Sequence, residues 1–138
     1  MARTGSTKKK DATYISGRLT VARAYLKEAR NSNDWADPGD IGNPSISAVK
    51  NCAIAYADAL TAKYRGEINQ GDHSAVVKLL RAALGKELPN RQEANLKALL
   101  DQKDEVQYGS RSKTRDDAER ALERLEELVT WAEAQLLK

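Results

Sequence analysis

Six side chains in the second half of this chain have the types needed to hold a phosphate or move a proton: His73, Lys103, Tyr108, Arg111, Lys113 and Arg115. Lys103 and Tyr108 form a Lys-x4-Tyr pair. The lysine supplies a mobile point charge. The tyrosine, with an unperturbed pKa of about 10, is a weak base at neutral pH. Arg111, Lys113 and Arg115 follow Gly109 in a connector and, with Lys103, would form a positive rim. Free backbone N–H groups at the start of the following helix would reinforce it, and phosphate, a nucleotide or an RNA backbone would suit it. The simpler alternative is a solvated linker whose cations pair with Asp116 and Asp117. His73, the only histidine, falls at a helix start. There a neutral imidazole can hydrogen-bond the turn, and the positive helix end disfavours its protonated form, so a structural role is the simpler reading.

Other chemistry is excluded by what is missing. One histidine and one cysteine give no metal-ligand spacing, so neither a metal nor a cofactor is expected. Cys52 lies among small apolar residues and reads as a buried, inert thiol. There is no Gly-rich phosphate loop and no Ser/His/Asp arrangement. The chain's few aromatics are too sparse to stack successive bases of a single strand.

The charge is unevenly placed. Arg3, Lys8, Lys9 and Lys10 against Asp11 put the whole net charge of +3 in the first thirteen residues, and the remainder balances. Residues 1–13 are expected to be a disordered basic tail, either a solubilising arm or a weak contact for RNA. Residues 14–138 are expected to form one domain. A neutral body argues against a duplex-DNA grip, which needs positive charge on the folded surface. No apolar run approaches the roughly 20 residues of a membrane span, and no secretory signal is visible. With a single cysteine, a reducing, cytoplasmic setting is expected.

The elements that must position the candidate residues are helical. Ile15, Leu19, Ala22, Leu26 and Ala29 recur at helical spacing and predict a helix over about 11–30. A Gly/Pro/Asp-rich loop follows, which Trp35 and Ile41 would pin to the core. Asn43-Pro44 signals a second helix, with Asn as cap and Pro in the first turn. It carries Ile46, Val49, Ala53, Tyr56 and Leu60 and ends near Ile68. Its small residues mark it as the central helix. A third helix starts at Asp72–Ser74, presents Val76, Val77, Leu79, Leu80 and Leu84, and closes on Gly85 in a left-handed conformation. Asn90-x-x-Glu93 resembles a capping box opening a fourth helix through Leu96, Leu99, Leu100 and Val106 to Gly109. Thr114-x-x-Asp117 opens a fifth, with Ala118, Ala121, Leu125, Leu128, Ala132 and Leu136 inward. No strand is expected. The fold class is all-α, a five-helix up-and-down bundle.

Several pieces in order carry a family likeness: "AYADAL" on the second helix, then "GDHSAVVKLL", "NLKALLDQKDEVQYG" and "TRDDAERALERL". Over about 15–137 the chain resembles the HEPN superfamily (higher eukaryotes and prokaryotes nucleotide-binding). The resemblance implies a bundle of four or five helices that pairs as a homodimer. It also implies a setting of RNA-cleaving toxins, antitoxins, partners of small nucleotidyltransferases, or non-catalytic binding modules. Ribonucleases of the family carry Arg-x4–6-His. The matching window here puts Lys103 in place of the arginine and Tyr108 in place of the histidine, with Asp104 and Glu105 adding negative charge. Lysine lacks the two-pronged guanidinium grip, and tyrosine lacks a near-neutral pKa. The expectation is therefore a non-catalytic nucleotide- or RNA-linked module in a toxin–antitoxin or defence setting. One alternative is a weak metal-independent ribonuclease, with Tyr108 or His73 on the proton and Lys103 or Arg111 on phosphate. Another is a structural partner of a nucleotidyltransferase.

Overall fold

The computed structural model describes residues 7–9, 11–69, 73–101 and 112–138. Five α-helices lie among them: α1 (Ala12–Trp35), α2 (Asn43–Arg65), α3 (His73–Leu84), α4 (Asn90–Asp101) and α5 (Arg115–Leu136). A 3-10 turn, Gly85–Glu87, joins α3 to α4. The all-α five-helix bundle is thus the observed fold.

The sequence dictates α2 as the hub. Ala48, Ala53, Ala55, Ala57, Ala59 and Ala62 are buried together with Ile46, Val49, Tyr56 and Leu60, so both faces of the helix are covered. Small side chains let neighbouring backbones come close, and α2 packs against α1, α3, α4 and α5. Each of the larger buried aliphatics contributes roughly 1.5–3 kcal/mol through removal from water. The expected inner stripes hold on α5, where Ala118, Ala121, Leu125, Leu128 and Ala132 are buried, and on α4 at Leu96, Leu99 and Leu100.

Side-chain bridges give the helix directions. Arg18 reaches Asp58 and Ser45 reaches the Ala29 carbonyl, so α1 and α2 run antiparallel. Arg23 to Glu133 and Arg30 to Glu126 make α1 and α5 antiparallel as well. Arg91 to Glu127 and Arg124 to Asn95 do the same for α4 and α5. One end of the bundle therefore gathers the end of α1, the start of α2, the end of α4 and the start of α5.

Several expectations change. The chain contains a two-stranded antiparallel ribbon, β1 (Thr7–Lys9) with β2 (Glu67–Asn69), where no strand was expected. Helix α2 stops at Arg65, not near Ile68, because Gly66 adopts φ 72° and turns the chain. That left-handed step is open to glycine at little cost. It frees Glu67–Asn69 to extend, with Ile68 buried. Within the stretch read as a tail, Thr7–Lys9 pair their backbone with β2, and α1 begins at Ala12 with Asp11 as cap. Residues 1–6 and 10 lie outside the described residues.

Helix α1 also continues past Arg30 to Trp35, which leaves Trp35 on its last turn at 84% exposure and Ile41 at 55%. Neither pins the loop. The loop is held by backbone instead: Gly42 N–H donates to the Lys113 carbonyl (2.7 Å) and Ile41 bridges Thr114. Asn90 and Glu93 do not form a capping box; their oxygens accept from Arg81, which ties α3 to α4, while the Pro89 carbonyl accepts the first N–H groups of α4. The predicted run of α4 beyond Asp101, including Val106 and Gly109, lies outside the described residues.

Candidate functional site

Thr114 is the pivot of the end where the basic connector meets the bundle. Its hydroxyl accepts from Asp117 N–H (3.0 Å), and the Asp117 carboxylate accepts from Thr114 N–H (3.0 Å). This reciprocal cap is the one the Thr114-x-x-Asp117 spacing predicts. It holds the Asp117 carboxyl below the usual range, chiefly through the Thr114 backbone N–H. The residue before it, Lys113, is fixed from the other side. Its N–H donates to Asn43 Oδ1 (2.8 Å), so Asn43 at the start of α2 spends its side chain across the loop as well as opening a helix. Gly42 stands between these groups, and a Cβ there would run into the Thr114 carbonyl oxygen and come within 3.0 Å of the Ala118 Cβ. Glycine is required here for close approach of two backbones.

Two of the four rim cations are described, and both are placed by this scaffold. Lys113 and Arg115 flank Thr114 and are half-buried. Arg115 is the first residue of α5, and its Nε is shielded from solvent with no hydrogen-bond partner among the described residues. A guanidinium has five N–H donors and no acceptor, so a donor left unmatched at a helix N-terminus suits an anion. Lys103, Tyr108 and Arg111 fall within 102–111, outside the described residues. His73 opens α3 as its first residue, as the sequence suggested. Among the described residues no cluster of three or more His, Cys, Asp and Glu side chains could hold a metal. No described helix is long and apolar enough to cross a membrane.

A second set of titratable groups lies in the seam between α1, α2 and α5, where no local sequence motif marks them. Asp58 is 8% exposed on α2 and accepts a single 3.2 Å contact from Arg18. Burial pushes its carboxyl up to about 6, against the opposing pull of Arg18. Tyr14 beside it is pushed up to about 12 by burial and then by the Asp58 charge. Two residues earlier on α2, Tyr56 donates to Glu133 (2.6 Å), which also takes both prongs of Arg23. Arg23 holds Glu133 below the usual carboxylate range, while burial raises the Tyr56 hydroxyl. Burial pushes the Cys52 thiol up to about 12, which keeps it protonated and agrees with the inert reading. Lys50 is wholly buried on the same helix. Asp58 could have been noticed as an acidic residue inside "AYADAL", and Lys50 as a cation between Val49 and Ala53. Helical periodicity alone does not mark either as special.

Asp58 is the one described carboxyl whose pKa is pushed up toward neutrality. It sits fifteen residues along α2 from Asn43, about 22 Å at the helical rise. The titratable group and the basic rim are therefore separate features.

No curated protein matched this chain. A family model described as "HEPN domain" matches residues 17–135. With nearly the whole helical body covered, and a five-helix bundle consistent with that architecture, the chain belongs to the HEPN domain family.

Proposed function

We propose that this protein is a non-catalytic HEPN module that binds nucleotide or RNA phosphate at the Lys113–Arg115 rim. The observation that carries the reading is the unmatched, shielded Nε of Arg115 at the start of α5, beside a Lys113 backbone held by Asn43. Lys103 and Arg111 would complete the rim. The non-catalytic part rests on residue chemistry: Lys103 and Tyr108 stand where ribonucleases of the family have arginine and histidine, and tyrosine is a poor base near pH 7. Asp58, the described carboxyl raised toward neutrality, is buried about 22 Å along α2 from the rim. A homodimer, a nucleotidyltransferase or antitoxin partner, a cytoplasmic location and a toxin–antitoxin or defence setting accompany this reading through family membership.

Titration of a labelled RNA oligonucleotide and a labelled nucleotide at two salt concentrations tests it. Lys113→Ala/Arg115→Ala should weaken RNA binding about tenfold or more and flatten the dependence of log K on log salt by about 1–2. Unchanged affinity and slope would remove the rim. Deletion of residues 1–6 combined with Lys8→Ser/Lys9→Ser/Lys10→Ser, which removes the tail's cations and keeps the β1 backbone, separates the rim from the tail: loss of all binding in that variant would assign the phosphate contact to the tail. The ribonuclease alternative is tested by labelled RNA with EDTA, comparing the protein with Lys103→Ala/Tyr108→Phe. Turnover by the former alone would make this an enzyme.

A further inference from the structure

Beyond the rim, the end of the bundle carries a second surface with different chemistry. Ser32, Trp35, Ala36, Asp40, Ile41 and Pro44 line an open depression of about 340 Å³. Trp35 is 84% exposed and Ile41 55%, so two of the largest apolar groups on the described surface stand side by side in water. Solitary exposed apolar residues are ordinary, whereas a depression with an exposed tryptophan at its edge is a feature of binding surfaces.

The loop's own charge has one sign, while Lys113 and Arg115 flank Thr114 across the Ile41 bridge. From Asn31 to Val49 the chain has Asp34, Asp37 and Asp40 and no lysine or arginine. All three aspartates are exposed. The backbone beneath is already set: Asp37 N–H donates to the Asp40 carboxylate (2.8 Å) and Asp40 N–H to the Asp37 carbonyl (2.9 Å). The Ile41–Thr114 bridge and the Gly42 contact anchor the same loop to α5. A surface ordered before binding loses less entropy when occupied.

Size and charge select the occupant. A stable interface between folded proteins uses roughly 20–30 residues a side, far more than this depression offers. A short segment fits: one or two apolar side chains for the Trp35–Ile41 floor, and lysine or arginine for the three carboxylates and the face of the indole. We propose that the Trp35–Ile41 depression is a docking site for a short cationic, apolar-anchored segment of a partner protein. Its lining residues are distinct from the rim cations, although Ile41 pairs with Thr114 between them.

Fluorescence anisotropy with three labelled twelve-residue peptides tests this: one of Lys and Leu, one of Glu and Leu, and one of Lys and Ser. The whole chain carries a net charge of +3, so attraction by overall charge would favour the acidic peptide. The Lys/Leu peptide should bind saturably, with the other two weaker by about tenfold or more. Trp35→Ser, and separately Asp34→Asn/Asp37→Asn, should each lower its affinity by about tenfold with unchanged melting temperature, since these side chains are exposed. Lys113→Ala/Arg115→Ala, which removes two neighbouring cations, should leave it unchanged or raise it while weakening RNA binding, and a parallel loss of both would overturn the separation of this site from the rim. Absence of binding, equal binding of the acidic peptide, or full affinity in Trp35→Ser would overturn the proposal. So would light scattering that shows a dimer lost in Trp35→Ser, which would give the face to a second copy.

Discussion

The seam between α1, α2 and α5 and the loop end of the same bundle use charge in opposite ways. In the seam, cations and anions are matched inside the molecule: Arg23 and Tyr56 on Glu133, Arg30 on Glu126 at 2.5 and 2.6 Å. At the loop end, backbone groups are matched among Gly42, Asn43, Lys113, Thr114 and Asp117, but the Arg115 Nε is left over and Trp35 and Ile41 face water. The first region is arranged for stability and orientation of helices. The second holds its backbone in place and leaves the Arg115 Nε and the Trp35 and Ile41 side chains unspent, the combination expected of a surface that waits for a ligand.

The seam has one poorly matched member, and it gives the largest expected effect. Asp58 is raised from 3.8 to about 6 by burial. A carboxyl with a higher pKa in the folded state favours folding fully below its unfolded pKa and loses that contribution as pH rises through about 6. The loss from pH 4 to 7 amounts to roughly 2–3 kcal/mol. Glu133, Glu93, Glu127 and Asp117 are shifted down and act in the other direction, losing stability as pH falls. The clean readout is therefore a difference: urea unfolding of Asp58→Asn against the parent, from pH 4 to 7. The variant should gain relative stability across that window. A flat difference would show that Arg18 compensates fully for the burial.

Gly42→Ala probes the loop end. Its Cβ must displace the Thr114 carbonyl, which also accepts the Ala118 N–H, so about 2 kcal/mol of stability should be lost. RNA affinity should fall with it, because Lys113 and Arg115 lose their support. Loss of stability with unaltered binding would show that the rim does not depend on this contact.

Tyr56→Phe is the mildest. It removes one hydrogen bond to a carboxylate that keeps both prongs of Arg23, and should cost about 1 kcal/mol by denaturant unfolding. Any effect on RNA or peptide binding larger than that on stability would contradict the separation of seam from loop end.

The sequence made the helices legible because burial repeats at helical spacing and because local caps are local chemistry. Ile46, Val49, Ala53, Tyr56 and Leu60 are buried as their spacing requires, Gly85 takes φ 56°, and Thr114 and Asp117 cap each other. The errors arose where a side chain had a choice of partner. Asn43 turns to Lys113, and Glu93 and Asn90 turn to Arg81, because residues distant in sequence present better donors. Gly66 ended α2 early and made room for a ribbon whose partner strand is nearly sixty residues away. Such pairings depend on long-range approach, and no local pattern encodes them.

For the site, sequence supplied the inventory: basic residues around Thr114, a tyrosine and a lysine in place of histidine and arginine, and an acidic loop holding a tryptophan. By itself the chain determined that it would be all-helical and of the HEPN family, since periodicity and order of segments are carried by neighbouring residues. Only the tertiary structure decided that Trp35 stays in water, that Asp58 is buried with one guanidinium, and that Asn43 and Gly42 hold Lys113 and Arg115 beside α5. Exposure and desolvation belong to the packed whole, and a group's charge and reach depend on what the fold brings against it.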